Sequence, residues 1–593
     1  FLNSLSEYNI LKNKKNLKEF IIISNSPELI NKKKNIYSFK EFVGEKNFFY
    51  FDNHKFRVNH SKFLKKVDMM INHLIKKEFN FLFNTLHQQT KFLSYATNYY
   101  IFYKKIQRYK FNYLFYFEYK DKNKKITNHE MEILDHIVGF SKKNKIKINK
   151  LSGNASIFEE GCFEKNINNF SYEDYSIKRR VLTLTKNLKQ EFFNNSKKNI
   201  CLMNLSREQL VFFYKNFSSK YNLILFNNYL KYENVIQTRV SEKKFFNYLF
   251  TVKDKKFFNS INCDDVLLNV LIKNYYNIFN SLYYRYFYAQ KKFISLNKKY
   301  KFKKFIYGIE LPVANYINSL FNKKNIKSLA LSHGGTIGHY QNWPCVFYYT
   351  LKNKNSYYQI FSNNFKNPLK KILKVYSNNN FNNLTVIPSF DLISLKQSQY
   401  YKINQSISKK IKKVCYICSK NFNFYDLKKK IHSNEDLFLL RKKILKIFKK
   451  KANINFTIKN YPNEKFLFSN KKIYLKNVNF INKGNVRNLN SEFDLFILEA
   501  ESSSLIETLC LKKKIICLQR YYPKFLEMNF KKLNKRVIFC KNKYHFLQSI
   551  ENQLNKKIID RVRENTFAND YYNIDDINQN VLKKSMFKFL KKI

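Results

Sequence analysis

The sequence predicts an α/β fold built on parallel sheet, most clearly in the part of the chain after residue 410. Short apolar runs typical of strands alternate there with stretches whose apolar residues recur at three- and four-residue spacing. Strands that alternate with helices favour a parallel sheet. Two or more domains are expected in 593 residues, because a single hydrophobic core does not grow to that size.

The predicted elements after residue 410 follow one another in a regular order. Apolar runs predict strands at 414–418, 454–458, 477–481 and 495–498. Amphipathic spacing predicts a helix over 436–450, and a further helix is expected to open at Ser503 or Ser504. A strand follows the basic turn 512–514, and a helix is expected at about 575–593.

The first part of the chain has a weaker pattern. Strands are predicted at 17–24, 223–226 and 328–332, and helices over most of 63–119, at 130–140, at 264–296 as one helix or two, and at 313–322. Apolar periodicity weakens between 366 and 408, where Asn and Lys cluster. We therefore expect an N-terminal domain over 1–375, a linker over 376–408, a C-terminal domain over 409–575 and a terminal helix over 576–593.

Composition limits the class of protein and its partners. A hydrophobic fraction of 44% allows large cores and argues against global disorder. The formal charge of +67 comes mainly from Lys, and the abundant Lys, Asn, Ile, Phe and Tyr share A/T-rich codons, which is the first explanation for the excess. Whatever its origin, such a surface attracts anionic lipids, nucleic acid and phosphorylated substrates.

Cysteine usage predicts a reducing compartment. The nine cysteines are scattered, and Cys415-x-x-Cys418 is their one close pair. This pair lies in a predicted strand with no second Cys or His pair nearby, so we expect buried strand cysteines rather than a zinc site.

Membrane and targeting patterns are weak in this sequence. No run of 18 apolar residues occurs, so no transmembrane helix is predicted. Phe1-Leu-Asn-Ser at the start lacks both an initiating Met and a signal-peptide pattern, so an upstream segment stays an open alternative.

A cluster of acidic and hydroxyl residues follows the apolar strand at 495–498. Glu501-Ser502-Ser503-Ser504 leads into the helix that contains Glu507. Free N–H groups and the helix dipole favour a phosphate at such a position, and ligands of open parallel sheets bind at the carboxyl ends of strands. An ordinary capping box formed by Ser504 and Glu507 is the alternative.

Two further motifs follow predicted strands. His333-Gly334-Gly335 comes after the strand at 328–332, where the glycines allow close backbone approach and the histidine can act as acid, base or phosphate donor. Lys459 and Tyr461 come at the end of the strand at 454–458, and a lysine there can bind phosphate as a point charge. Considered alone, a His-Gly-Gly sequence is more often an ordinary turn, and a lysine is more often a solvated side chain.

In order and spacing, these three motifs resemble GT-B glycosyltransferases, especially bacterial transferases of capsule, lipopolysaccharide and other surface carbohydrates. The resemblance covers about residues 300 to 520, and Leu311-Pro312 adds to it. It implies two Rossmann-like parallel-sheet domains facing a cleft, with a helix-rich N-terminal elaboration. The N-terminal domain would be the acceptor side and the C-terminal domain the nucleotide-donor side. Tyr461 stands where many relatives have His.

The resemblance also implies roles for single residues. Lys459, Tyr461 and Ser502 to Ser504 would hold the donor phosphates, and Glu501 or Glu507 a ribose or nearby hydroxyl. His333 would be the catalytic base, with Glu310 as a second candidate and Gly334 and Gly335 allowing backbone approach. No cofactor or metal is expected, since the nucleotide-sugar is a co-substrate and the phosphates are stabilised by protein groups. The acceptor would be a glycan or a lipid-linked group.

Several alternatives stay open at this stage. The same fold serves CDP-alditol phosphotransfer and sugar-nucleotide 2-epimerisation. A basic nucleic-acid-binding protein is a third possibility, although the lysines are dispersed and no zinc-finger, helix-turn-helix or RNA-recognition pattern occurs. A cytoplasmic location is expected, with peripheral attachment to the inner face of the cytoplasmic membrane as a variant of it. The donor, the acceptor, the stereochemical outcome and the oligomeric state are not predicted.

Overall fold

The architecture is taken from a computed structural model of the chain. It describes residues 5–14, 20–24, 35–38, 41–42, 44, 54–75, 86–109, 113–118, 146–152, 197–230, 247, 258, 265–308, 312–332, 354–374, 383–390, 392–393, 411–419, 434–461, 476–481, 486, 489, 493–511, 513–519, 527–556, 566–574 and 578–591.

The N-terminal part combines helices with two short pairs of parallel strands. Its elements are α1 (Leu5–Lys14), β1 (Ile22–Ser24), β2 (Ile36–Ser38), α2 (His54–Ile75), α3 (Leu86–Gln107), β3 (Tyr113–Glu118) and β4 (Lys147–Ser152). Strand β1 pairs with β2, and β3 pairs with β4. The helical prediction for 63–119 was therefore wrong at its end, because the aromatic residues of β3 favour a strand and find a parallel partner in β4.

A first parallel sheet follows. Its elements are β5 (Lys198–Met203), α4 (Arg207–Phe217), β6 (Tyr221–Leu225), α5 (Asp265–Tyr300), β7 (Lys304–Tyr307), α6 (Pro312–Lys323), β8 (Lys327–Ala330), β9 (Ser356–Ile360), α7 (Lys366–Lys374) and β10 (Leu384–Val386). Two 3₁₀ segments lie at Phe226–Tyr229 and Asn363–Phe365. Strand order is β10-β9-β8-β7-β5-β6, all parallel. Strand β10 lies inside the stretch 376–408 that was interpreted as a linker.

A second parallel sheet is built from the rest of the chain. Its elements are β11 (Lys413–Ile417), α8 (Asn434–Lys450), β12 (Asn455–Lys459), β13 (Val478–Ile481), β14 (Leu495–Leu498), α9 (Ser503–Leu509), β15 (Lys514–Leu518), α10 (Glu527–Arg536), β16 (Ile538–Cys540), α11 (Lys543–Asn555), α12 (Thr566–Tyr572) and α13 (Gln579–Lys591). Strand order is β13-β12-β11-β14-β15-β16, again all parallel.

The central strands are apolar because helices cover both faces of each sheet. All four residues of β14 are at most 1% exposed, as are Ile200 to Met203 in β5. Such strands form near-continuous hydrophobic runs, which is the pattern that distinguishes a parallel sheet from a half-exposed antiparallel one. The fold is therefore α/β, with two six-stranded parallel sheets and helices preceding the first, as predicted.

The last two helices return to the first sheet. Tyr572 of α12 packs against Phe361, with the ring centroids 5.7 Å apart, and Phe589 of α13 packs edge-on against Tyr357 at 5.6 Å. The carbonyl of Asp570 accepts hydrogen bonds from side chains that follow β9, and its carboxylate forms an ion pair with Lys532 of α10. Helix α12 thereby joins the two halves of the fold.

Candidate functional site at the carboxyl ends of the strands

The second sheet has a topological switch point between β11 and β14. The chain proceeds from β11 towards one side of the sheet through β12 and β13, and then crosses to β14, β15 and β16 on the other. Ligands of open α/β sheets bind in the crevice that such a reversal creates at the carboxyl ends of the strands. The register aligns Ile417 of β11 with both Lys459 of β12 and Leu498 of β14, so the residues that follow these strands lie side by side.

Lys459 is the last residue of β12, and its ammonium group is buried. The side chain is 3% exposed, and its Nζ donates one hydrogen bond, 2.8 Å long, to the carbonyl of Asn460. An ammonium has three donors, and Asn460 O is its one hydrogen-bond acceptor among the described residues. Burial lowers the pKa of Lys459, and the nearby Cys418 and Cys415 oppose this shift only in part. An anionic ligand at this edge would supply the missing partners.

Glu499 follows β14 and holds the neighbouring loops together. Its Oε1 accepts from Arg441 Nε at 2.6 Å and from the Tyr416 hydroxyl at 2.6 Å. Its Oε2 accepts from Arg441 Nη2 at 2.7 Å and from the Ser419 amide and hydroxyl at 2.9 and 2.8 Å. Both members of the Arg441–Glu499 pair are at most 1% exposed. We interpret this cluster as positioning rather than catalytic, since the described residues saturate the carboxylate.

The serine cluster begins helix α9 in a different way from the predicted capping box. Ser502 is the N-cap, and its hydroxyl accepts from the Ser504 amide at 3.3 Å. Ser504 therefore lies inside the helix, and a Ser504–Glu507 box cannot form because the third helical position is Leu505. Ser503 is exposed and Ser504 is half-buried. The described contacts of this cluster are those of a cap, so its role in ligand binding stays a prediction.

The other donor-side candidates differ in how accessible they are. Glu501 is fully buried, and its charge raises the pKa of the Cys517 thiol, after the larger effect of burial, so it faces β15. Glu507 is half-buried on α9, and Tyr461 is 41% exposed beyond Lys459. Glu501 is thus placed to shape the loop, whereas Glu507 and Tyr461 are more exposed to solvent.

The cysteine pair is structural, as predicted. Cys415 and Cys418 are buried free thiols, and burial raises the pKa of Cys415. Within the described part of the chain, no group of three or more His, Cys, Asp or Glu side chains is arranged to hold a metal ion.

Sequence reasoning missed the equivalent edge of the first sheet, because β5 was not predicted. Asn204 follows β5 in the left-handed region, with φ of 52°, and exchanges hydrogen bonds with Asn227: Asn204 N to Asn227 Oδ1 at 2.9 Å, and Asn227 Nδ2 to Asn204 Oδ1 at 2.8 Å. Ser206 then caps α4 through a capping box with Gln209. The sequence Ser206-x-x-Gln209 after the apolar run at 200–203 is the signal that could have revealed this edge.

Gly308 allows β7 to end against this turn. A Cβ at position 308 would lie 2.1 Å from the carbonyl oxygen of Asn204, so only glycine fits. Its amide donates to Met203 O at 2.9 Å. Strands β5 and β7 flank the switch point of the first sheet, which places Asn204 and Gly308 at its ligand edge.

Of the acceptor side, the structure describes residues next to the candidates and not the candidates themselves. Glu310, His333, Gly334 and Gly335 lie outside the described residues. Ser332, which precedes His333, is fixed at the end of β8 by a 2.9 Å bond from its amide to Gln359 Oε1. Gln359 in turn donates to the carbonyls of Ile387 and Pro388.

No described helix is long and apolar enough to span a bilayer.

Comparisons with known proteins identify a fold only. Neither a protein-family model nor a curated protein matches the sequence. Three of the similar solved structures are the UDP-GlcNAc 2-epimerase of Neisseria meningitidis bound to UDP-GlcNAc (11% identity, 67% of this chain and 100% of that one, TM-score 0.37), the UDP-GlcNAc 2-epimerase of Methanocaldococcus jannaschii (13%, 67% and 100%, 0.37) and the glycosyltransferase SnogD of Streptomyces nogalater (7%, 66% and 100%, 0.35). At these identities and TM-scores, the likeness does not assign an activity.

Proposed function

We propose that this protein is a nucleotide-sugar enzyme of the transferase type, which moves a sugar or sugar-like group to a surface-polysaccharide or lipid-linked acceptor. The observation that carries the proposal is Lys459, a buried ammonium at the switch point of a parallel sheet, with Asn460 O as its one acceptor in the described part of the chain. A buried cation is costly unless it is paired, so the position favours an anionic ligand such as a diphosphate.

The proposed mechanism assigns the donor to the second sheet. Lys459 would pair with the diphosphate and stabilise the charge that develops on the leaving nucleotide. Ser502 to Ser504 and Tyr461 would line the phosphate side, and Glu507 would bind a ribose hydroxyl, because Glu501 is fully buried against β15. The Arg441–Glu499 pair would keep the β11 and β14 loops at the spacing that the ligand needs.

The acceptor would bind at the first sheet. His333, which follows Ser332 at the end of β8, would remove the proton from the acceptor hydroxyl, with Glu310 as the second candidate base. Gly334 and Gly335 would let the backbone approach the ligand. Because a lipid-linked acceptor remains in the bilayer, peripheral attachment of the protein to the inner face of the cytoplasmic membrane would accompany this function.

The first test is nucleotide binding measured by thermal shift at high salt, where nonspecific attraction is screened. UDP, GDP, CDP, CMP and ADP form the panel, and UDP-GlcNAc joins it because a similarly folded structure was solved with it bound. Wild type is compared with Lys459→Met and with the control Lys413→Met, an exposed lysine at the opposite edge of the same sheet. Stabilisation by one nucleotide that is lost only in Lys459→Met supports the proposal; equal shifts in all three proteins contradict it.

A second experiment separates the transferase from its alternatives. An epimerase converts the sugar nucleotide without an acceptor, whereas a transferase releases nucleotide at an appreciable rate only when an acceptor is added. His333→Ala should keep nucleotide binding and lose turnover, because the base acts on the acceptor. Conversion of donor alone to a second sugar nucleotide would replace the transferase assignment with epimerisation.

A further inference from the structure

Helix α5 is much longer than helix α6, against which it packs. It has 36 residues, which corresponds to about 54 Å, whereas α6 has 12 residues, about 18 Å. The two helices run in the same direction, because Tyr286 stacks on Tyr316 at 4.5 Å and, further along both helices, Phe293 contacts Phe321 at 4.8 Å.

These contacts place the start of α5 beyond the ligand edge of the first sheet. Helix α6 begins at Pro312, shortly after the carboxyl end of β7. Tyr316 lies about 6 Å further along the axis of α6. The part of α5 before Tyr286 begins at Asp265 and is about 31 Å long. About 25 Å of α5 therefore project past the carboxyl edge where the acceptor is proposed to bind.

The N-terminal helices pack on this projecting part. His60 of α2 is hydrogen-bonded to the Tyr275 hydroxyl at 3.0 Å, and the rings of Phe63 and Tyr275 are 6.0 Å apart. Leu93 and Ala96 of α3 are buried in the same apolar cluster. Helices α2 and α3 with residues 265–282 form a unit that we call the helical canopy, and it stands over the ligand edge of the first sheet.

Helix α2 has a buried inner face and a basic outer face. Val67, Asp68 and Ile71 are at most 2% exposed, so the one acidic residue of the helix points inward. The outer stripe consists of Lys62, Lys66, Met69 and His73, which follow helical spacing and are all exposed; Met69 is 72% exposed.

We propose that the outer face of α2 docks the protein on an anionic lipid bilayer and holds the ligand edge of the first sheet near the membrane surface. Lysines along a helix bind anionic headgroups, and an exposed methionine between them can enter the apolar boundary of the bilayer. A nucleic acid would favour an aromatic stacking surface instead. This inference rests on the proposed function in one respect: a lipid-linked acceptor would reach the first sheet from this side.

Vesicle sedimentation at physiological salt tests the docking face. Wild type is mixed with vesicles of phosphatidylcholine alone and of phosphatidylcholine with about one third phosphatidylglycerol, and it should bind the second. Lys62→Gln/Lys66→Gln should weaken that binding about 30-fold, since each lysine near such a surface contributes about 1 kcal/mol. The matched control is Lys442→Gln/Lys446→Gln, an exposed pair on α8 with the same spacing and the same loss of charge.

The α8 control distinguishes vesicle binding through a defined face of the protein from attraction by its net charge. Docking through α2 predicts that the α8 control binds vesicles within about threefold of wild type and that Lys62→Arg/Lys66→Arg retains binding. Equal weakening by the α2 and α8 pairs would overturn the proposal, as would equal binding to neutral vesicles. So would an effect of the α2 pair on single-stranded RNA binding that exceeds its effect on vesicles.

A separate readout keeps the two proposals apart. Nucleotide stabilisation is measured on the same preparations, where the α2 pair should leave it unchanged because α2 belongs to the canopy and the donor is proposed to bind at the second sheet. Lys459→Met should bind vesicles like wild type. Absence of nucleotide binding in wild type would refute the proposed function. Vesicle binding that does not depend on the lysines of α2 would refute only the docking face.

Discussion

Replacing Glu499 by glutamine should destabilise the second half of the fold more than any change at the exposed surface. The carboxylate receives bonds from Arg441, Tyr416 and Ser419 and is fully buried. Glutamine keeps the volume but removes the charge, so the Arg441 guanidinium would be left in the interior without its counter-ion. Removing one member of a buried ion pair costs about 3–5 kcal/mol.

Urea denaturation followed by circular dichroism measures this loss directly. Thermal denaturation gives a second readout: for a domain of this size, each kcal/mol lowers Tm by about 2–4 °C, so Glu499→Gln should lower Tm by at least about 6 °C. The double variant Arg441→Met/Glu499→Leu should recover much of the loss, because no unpaired charge stays buried. A single variant within about 1 kcal/mol of wild type would refute the account of this cluster.

Three other substitutions have equally specific outcomes. Gly308→Ala should cost about 3 kcal/mol in urea denaturation, because its Cβ would meet Asn204 O; a loss below about 0.5 kcal/mol would show that the turn relaxes freely. Ser502→Ala should cost about 1 kcal/mol as a lost helix cap, and Ser503→Ala, at an exposed position, should cost almost nothing; equal effects would contradict the cap assignment. Lys459→Met should raise the urea midpoint at pH 7, since burial lowers the pKa of Lys459 from its usual 10.5. Between the pKa of Lys459 in the folded protein and pH 10.5, the unfolded state binds more protons than the folded state, so wild type gains stability as the pH rises through this range. The variant has no titrating group at position 459 and should not show this gain.

The elements around the donor side could be predicted because their local pattern and their environment agree. The apolar run at 495–498 is a strand because it is buried from both faces, and Lys459 ends β12 as the strand pattern indicated. Helix α9 also begins at one of the two serines expected, although its cap is Ser502. The placement of these residues at one edge is thus confirmed, whereas their contacts with a ligand stay predictions.

The parts that could not be predicted depend on long-range contacts. Arg441 and Glu499 are separated by 58 positions in sequence, and no local pattern pairs them. Gly308 is required by the backbone of Asn204, which only the packed sheet brings near. Strand β3 was taken as helix because its six residues have no clear alternation, and its state is decided by pairing with β4.

Isothermal titration with the stabilising nucleotide tests the central claim most directly. Wild type and Lys413→Met should bind it with the same affinity at high salt, and Lys459→Met should bind at least about 10-fold more weakly, since a charge-assisted hydrogen bond contributes about 1.5–3 kcal/mol. If Lys459→Met binds the nucleotide as tightly as wild type does, then the buried ammonium does not hold a phosphate, and the second sheet has no donor site at this edge.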